Sequence, residues 1–434
     1  MNTRRRGLRR RKPPGAPITA SGLRCNLRSV NLREIRALIR MKPFEPDSVR
    51  RRLSRCHDLN DLRRAALRRT PRPVFDYVDG GADDEVSMAG NRAAFERYRY
   101  VPRLGVDVSA PDLSTRIFDR PAAFPLALAP TGYTRMMHPA GERAVARAAA
   151  RAGVPYTLST MGTTTIEDVA ATGHEDLWFQ LYPWTEEHVS HDLVDRAAAA
   201  GYRVLAVTLD TAVSGRRSRD VRNGLIIPPA LTLRTMAGIA IKPAYWARML
   251  RSPAIDFANL TAAFEGKARD GAVANVSQYF VPGITWEFIA EMRRRWPGRL
   301  VVKGPVSGAD AKRAVEAGVD GIHLSNHGGR QLDRSVAPLD LVPEVRGAVG
   351  EDVQVLIDSG IRHGADIATA VALGADAGVV GRAYLYGLMA AGEPGVDHAL
   401  DLLRVQFQRT MQLLGVNSVA ELRTLGPELL RPAP

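Results

Sequence analysis

From Pro121 onward the chain alternates between short apolar runs and alanine-rich stretches with helical spacing. The runs occupy 124–130, 154–160, 177–182, 204–210, 300–304, 321–327, 353–359 and 377–383. Their β-formers are almost uninterrupted, the pattern of strands buried on both faces, as in a parallel sheet covered by helices. Segments such as "GERAVARAAARAG" and "GADAKRAVEAG" lie between them, each closed by a glycine that suits a helix C-cap. Successive starts are 21–32 residues apart, except across the roughly 90 residues between 210 and 300. Eight such units in about 250 residues predict an α/β fold, a closed (β/α)8 TIM barrel, with a long insertion after strand 4.

Around the barrel, 121–425, the pattern predicts a basic extension over 1–49, a helical segment over 50–120 and a tail over 426–434. Asp58 precedes the helical stretch "LNDLRRAALRRT" as its N-cap. The insertion, about 212–284, contains "IKPAYWARMLRSP", where Tyr245, Trp246, Met249 and Leu250 alternate with Lys242, Arg248 and Arg251. Two readings fit this segment: a lid helix packed on the barrel mouth, or an amphipathic contact with a membrane surface.

Composition narrows the class. A hydrophobic fraction of 45% and a charged fraction of 24% are those of a globular chain, and no run reaches the length of a membrane span. The arginines near the N-terminus are followed by no apolar stretch, so no secretory signal is read there. Cys25 and Cys56 are too few for a disulfide framework, which suits a reducing, cytoplasmic setting. The net charge of +14 is uneven: residues 1–72 hold 22 Lys and Arg against 5 Asp and Glu, which leaves the rest at −3. Residues 1–22 are expected to be a disordered, solvated tail, and with no aromatic interleaving no nucleic-acid partner is expected.

The ends of the eight runs carry the chemistry. In order they are Thr131, Ser159, Gln180 with Tyr182, Thr208 with Asp210, Lys303, His327, Asp358 and Arg382. Alone, each has a structural explanation, such as a turn former, a helix cap or a snorkelling amine. Together they fall at the C-terminal face of a barrel, where catalytic groups converge. Gly360 with Arg362, and Gly381 with Arg382, sit at the last two strand-to-helix turns, the customary phosphate position of this fold. No GxGxxG, P-loop or GxSxG motif occurs. His188, His191 and Asp192 resemble a metal half-site without a third ligand, so no metal is expected. His323 is read as a packed strand residue.

The motif "SNHGGRQLD" (325–333), with "FDYVDGGADDE", "APTG", "FQLY", "TLDTAVSGRRSRDVRN", "VVKG" and "IDSGIRHGADI", resembles the FMN-dependent α-hydroxy-acid oxidases and dehydrogenases over about residues 50–425. The quinone-linked L-lactate dehydrogenases of bacterial respiration are the nearest in "IPPALTLRT" and "GRAYLYGLMAAGE". The resemblance implies an FMN-binding barrel in which His327 is the base and Asp210 orients its imidazole. Tyr77, Arg330 and Arg217 would hold the substrate carboxylate, Tyr182 the substrate hydroxyl, and Lys303 the pole of the reduced flavin. Thr131, Gly132, Ser159, Gln180 and Thr208 would border the flavin ring, Asp358 the ribityl chain, and Gly360, Arg362, Gly381 and Arg382 the phosphate. Both a hydride and a carbanion route fit these residues.

Two positions depart from the oxidases of this group. Met161 stands where glycolate oxidases have tryptophan, and Gly132 where several oxidases have alanine. The resulting expectation is oxidation of L-lactate with a quinone or protein acceptor. The alternative is a 2-hydroxy-acid oxidase that uses oxygen and yields peroxide. The resemblance also implies a homo-oligomer, a tetramer in the relatives, and a possible peripheral site on the inner face of the cell membrane.

Overall fold

In the computed structural model, the eight apolar runs form eight parallel strands that close on themselves. The structure describes residues 44–224, 242–260 and 281–433. The chain divides into units Met1–Pro46 and Asp47–Pro434, and the fold below is that of the second. Residues 1–22 and the motif "IPPALTLRT" lie outside the described residues.

Before the barrel come β1 (Tyr98–Tyr100) and a hairpin of β2 (Thr115–Ile117) and β3 (Arg120–Ala122). The barrel strands are β4 (Leu126–Leu128), β5 (Tyr156–Ser159), β6 (Leu177–Leu181), β7 (Val204–Thr208), β8 (Arg299–Gly304), β9 (Gly321–Leu324), β10 (Gln354–Ile357) and β11 (Ala377–Val380). They pair in chain order, and β11 returns to β4. Several strands are shorter than their apolar runs. Pro125 and Pro130 bracket β4 and Pro155 precedes β5, and proline has no N–H for a ladder. Arg382 opens the following helix instead of ending β11.

Alternation divides the side chains between two cores. Leu177, Phe179 and Leu181 of β6 pack outward among the helices. Trp178, Ala206, Val301 and Val379 fill the barrel interior. The β2–β3 hairpin stops the lower end with Ile117 and Phe118, whose ring lies edge-on to Trp178 at 5.6 Å. The register sets polar groups side by side: Ser159 opposite Gln180, Thr208 opposite Lys303, and Lys303 opposite His323.

The segment before the barrel differs in part from the helical expectation. Helices Ser48–Leu53, Leu59–Arg69, Arg72–Asp79 and Val86–Glu96 form, and Asp58 caps the second by accepting from the Asp61 N–H at 2.6 Å. Residues 98–122 hold the three short strands instead. The boundary at 425 falls within the helix Val419–Leu429, whose continuation β12 (Leu430–Pro432) pairs antiparallel with β1. That pairing binds the last residues to the segment before the barrel. Within the insertion, the helix Pro243–Met249 turns Tyr245 inward, where its hydroxyl donates to the Met136 carbonyl at 2.6 Å. Trp246 and Met249 also pack against the core, and only Leu250, 83% exposed, stands clear. No helix among the described residues is long and apolar enough to cross a membrane.

Candidate active site

The loop after β9 is built to hold His327 still. His327 itself is left-handed, with φ 57°, and Gly328 and Gly329 follow at 67° and 75°. A Cβ on Gly329 would lie 2.6 Å from the Met88 nitrogen, so no side chain fits there. Ser325 Oγ accepts from the His327 N–H at 3.1 Å, and Ser359 Oγ from the Gly328 N–H at 3.0 Å. The imidazole Nδ1 lies 2.7 Å from Asp210 Oδ2, and Nε2 lies 3.0 Å from the Tyr182 hydroxyl. A carboxylate only accepts, so Nδ1 carries the proton and Nε2 keeps a lone pair. Burial lowers the His327 pKa below the usual histidine range; Asp210 opposes this, and Lys303, whose Nζ is 3.5 Å from Nδ1, adds to it. The result is a neutral base at neutral pH.

Two arginines share the ring of Tyr77. Arg330 Cζ stands 5.0 Å and Arg217 Cζ 5.8 Å from its centroid. Arg217 Nε donates to Asp220 at 2.8 Å. The last turn of the helix Arg72–Asp79 would leave its carbonyls without intrahelical partners. Arg330 donates to Tyr77 O at 2.5 Å and Gly80 O at 3.1 Å, and Arg382 donates to Val78 O and Gly80 O, each at 2.8 Å. Negative carbonyls at a helix C-terminus suit cations. One short turn therefore anchors both arginines. Arg330 keeps Nε and Nη2 without a hydrogen bond among the described residues.

On the other flank a buried chain crosses three strands: Ser159 Oγ donates to Gln180 Oε1, and Gln180 Nε2 to Thr208 Oγ1, both at 2.9 Å. A Cβ on Gly132 would fall 2.9 Å from Met161 Cβ. Asp358 Oδ2 lies 3.0 Å from His323 Nε2. Burial alone would raise the Asp358 pKa, but His323 and Lys303 hold it far below the carboxylate range. Arg362 stacks over Tyr386 at 5.0 Å, and its Nη1 is buried with no hydrogen-bond partner among the described residues. Nearby, burial with Arg330 and Arg362 lowers Arg382 to about 10. A group bearing several anionic oxygens would satisfy that orphaned nitrogen and the concentrated positive charge. The residues present therefore fit a flavin phosphate.

A single cavity of about 390 Å³ joins the two flanks. Tyr77, Tyr182, Arg217, Lys303, His327 and Arg330 line one side of it. Thr131, Gly132, Ser159, Asp358, Gly360, Arg362, Gly381 and Arg382 line the remainder. Gln180, Thr208 and Asp210 lie behind this wall and act on it through Ser159 and His327.

Three lining or supporting residues had no role in the sequence reading. Tyr133 (φ 55°) and Phe257, rings 4.5 Å apart, close one side. His323 pairs with Asp358; it shares strand parity with Ser325 and His327, which is the signal that could have found it. Phe257 carried no signal within the insertion. Of the suspected metal half-site, His191 is held by Glu291 at 2.7 Å. No group of three potential metal ligands occurs among the described residues.

Comparison with known proteins adds an independent line. The family model described as FMN-dependent dehydrogenase matches residues 66–431. A Mycobacterium tuberculosis protein named provisionally as an L-lactate dehydrogenase is 45% identical over 415 residues, covering 93% of this chain and 98% of that one. The (S)-mandelate dehydrogenase of Pseudomonas putida is 37% identical over 374 residues, covering 86% and 93%. A crystal structure of an (S)-mandelate dehydrogenase, described as a monotopic membrane protein, superposes with a TM-score of 0.83 at 37% identity, covering 87% of this chain and all of that one.

Proposed function

The chain belongs to the family of FMN-dependent α-hydroxy-acid dehydrogenases and oxidases, and on that premise we propose that it oxidises L-lactate to pyruvate and delivers the electrons to a quinone. The observation that carries the reading is the His327 imidazole, backed at 2.7 Å by Asp210 and opening onto the cavity that Arg330 also lines. Its unprotonated Nε2, beside the Tyr182 hydroxyl, takes a proton from the acid, and Asp210 stabilises the imidazolium that results. Arg330, Tyr77 and Arg217 hold the carboxylate, which fixes the α-carbon relative to the base. Tyr182 steadies the substrate oxygen. Ser159, backed by Gln180 and Thr208, would hold FMN together with Lys303, Asp358, Gly360, Arg362, Gly381, Arg382 and the main chain at Thr131 and Gly132. Bound FMN supplies the two-electron acceptor.

L-lactate is favoured by the similarity to the M. tuberculosis protein, and (S)-mandelate is the substrate to exclude. The monotopic relative supports a peripheral membrane contact through the segment around Pro243–Met249, on the inner face of the membrane. The homo-oligomer implied by the family resemblance, a tetramer, is part of the same proposal. Anaerobic stopped-flow mixing with L-lactate, glycolate and (S)-mandelate tests the substrate: L-lactate should bleach the flavin fastest, and faster bleaching by (S)-mandelate overturns that choice. Turnover with a quinone analogue should exceed turnover with oxygen; the reverse would make the enzyme an oxidase.

A further inference from the structure

Outside the cavity, three guanidinium groups and a neutral imidazole gather, with no carboxylate paired to them among the described residues. Arg52, on the helix Ser48–Leu53, donates from Nη1 to the Ala390 carbonyl at 2.7 Å, at the end of the helix Arg382–Ala391. His138 packs beneath the next turn, where a Cβ on Gly392 would lie 2.9 Å from its ring. Lys242 Nζ donates to Arg68 O at 2.8 Å, and Tyr245 donates to Met136 O. These bonds pin the helix Pro243–Met249, with Arg248, between Arg69 and His138. The groups feel one another. Burial with Arg248 and Arg69 holds His138 down to about 4, and burial with Arg69 and Arg248 lowers Arg52.

None of the four lines the central cavity. Among the described residues no carboxylate comes within ion-pair distance of any of them, and the Nε atoms of Arg69 and Arg248 are buried with no partner. Neighbouring arginines are treated differently: Arg63 pairs with Asp79, Arg64 with Asp61 and Arg72 with Asp76. The helix-end carbonyls offer only partial charge. Holding three guanidinium groups together, half-buried, is costly unless an anion joins them.

We propose that Arg52, Arg69, Arg248 and His138 form a binding site for a phosphate-bearing anion. A phosphate matches the arrangement better than a carboxylate, because its oxygens can accept from several guanidinium forks at once. Its source is either a soluble phosphate compound or an anionic lipid headgroup; the exposed Leu250 and Arg251 adjoin the site. The site stands apart from the hydroxy-acid reading, and either can fail alone.

The test uses the full-length, FMN-loaded protein. Calorimetry with inorganic phosphate at matched ionic strength is paired with flotation on phosphatidylcholine vesicles, with and without phosphatidylglycerol. The double variant Arg69→Gln with Arg248→Gln should lose binding at least about tenfold. Its flavin spectrum and reduction by substrate should be unchanged. The exposed Arg294→Gln serves as the control, and Arg248→Gln alone carries the comparison if the double variant does not hold FMN. Saturable phosphate binding without vesicle binding assigns a soluble ligand, and flotation only with phosphatidylglycerol assigns a headgroup. Either result, lost in the variant, supports the site. Absence of both, or a loss matched by Arg294→Gln, overturns it.

Discussion

Asp210 and His327, 117 residues apart in sequence, meet at 2.7 Å, the imidazole in the wall of the cavity and the carboxylate behind it. That contact sets both the tautomer of the base and its pKa. Burial and Lys303 lower His327 while Asp210 raises it, with a net value below the ordinary one of about 6.5. A base acts when neutral, so kcat/KM is full above that pKa and falls as pH drops through it. Asp210→Asn removes the raising influence and the stabilised imidazolium. The acid limb of the profile should move to lower pH while the plateau falls about 100-fold or more. A limb displaced to higher pH contradicts the assignment.

Arg330 is fixed by main-chain carbonyls at Tyr77 and Gly80, a geometry that a single ammonium cannot reproduce. Arg330→Lys should raise KM for the acid about ten- to a hundredfold. FMN content should remain that of the parent. Steady-state kinetics with a flavin assay check both.

Gly132 and Met161 both line the cavity, and a Cβ added at Gly132 would fall 2.9 Å from the Met161 Cβ. Gly132→Ala should cost about 1–3 kcal/mol through overpacking. Met161→Gly should relieve that loss, whereas Met161→Ala, which keeps its Cβ, should not. Denaturant unfolding of the FMN-free single and double variants separates the two outcomes.

Arg362 holds a buried guanidinium nitrogen with no hydrogen-bond partner among the described residues. Arg362→Gln should weaken FMN binding about ten- to a hundredfold in a fluorescence titration. The FMN-free variant should lose only the stacking on Tyr386, about 1 kcal/mol or less, because that nitrogen has no hydrogen bond to lose among the described residues. An equal destabilisation of both forms would indicate a structural role instead.

Much of this was legible before any coordinates. Parallel strands are buried on both faces, so they appear as apolar runs, and their polar ends stand out. Other parts had no local trace. Helical amphipathicity could not separate a packed lid from a membrane contact, and Tyr245 turned inward while Leu250 turned out. The β2–β3 hairpin escaped notice because its strands are three residues long and mixed in polarity, with Phe118 left-handed in the turn. The anchoring of Arg330 and Arg382 rests on main-chain carbonyls, which any sequence supplies.

The most direct measurement compares parent and His327→Gln protein, both loaded with FMN, during anaerobic mixing with L-lactate. The account predicts that the variant keeps its flavin yet is reduced more slowly by about two orders of magnitude or more. Reduction at the parental rate would contradict it.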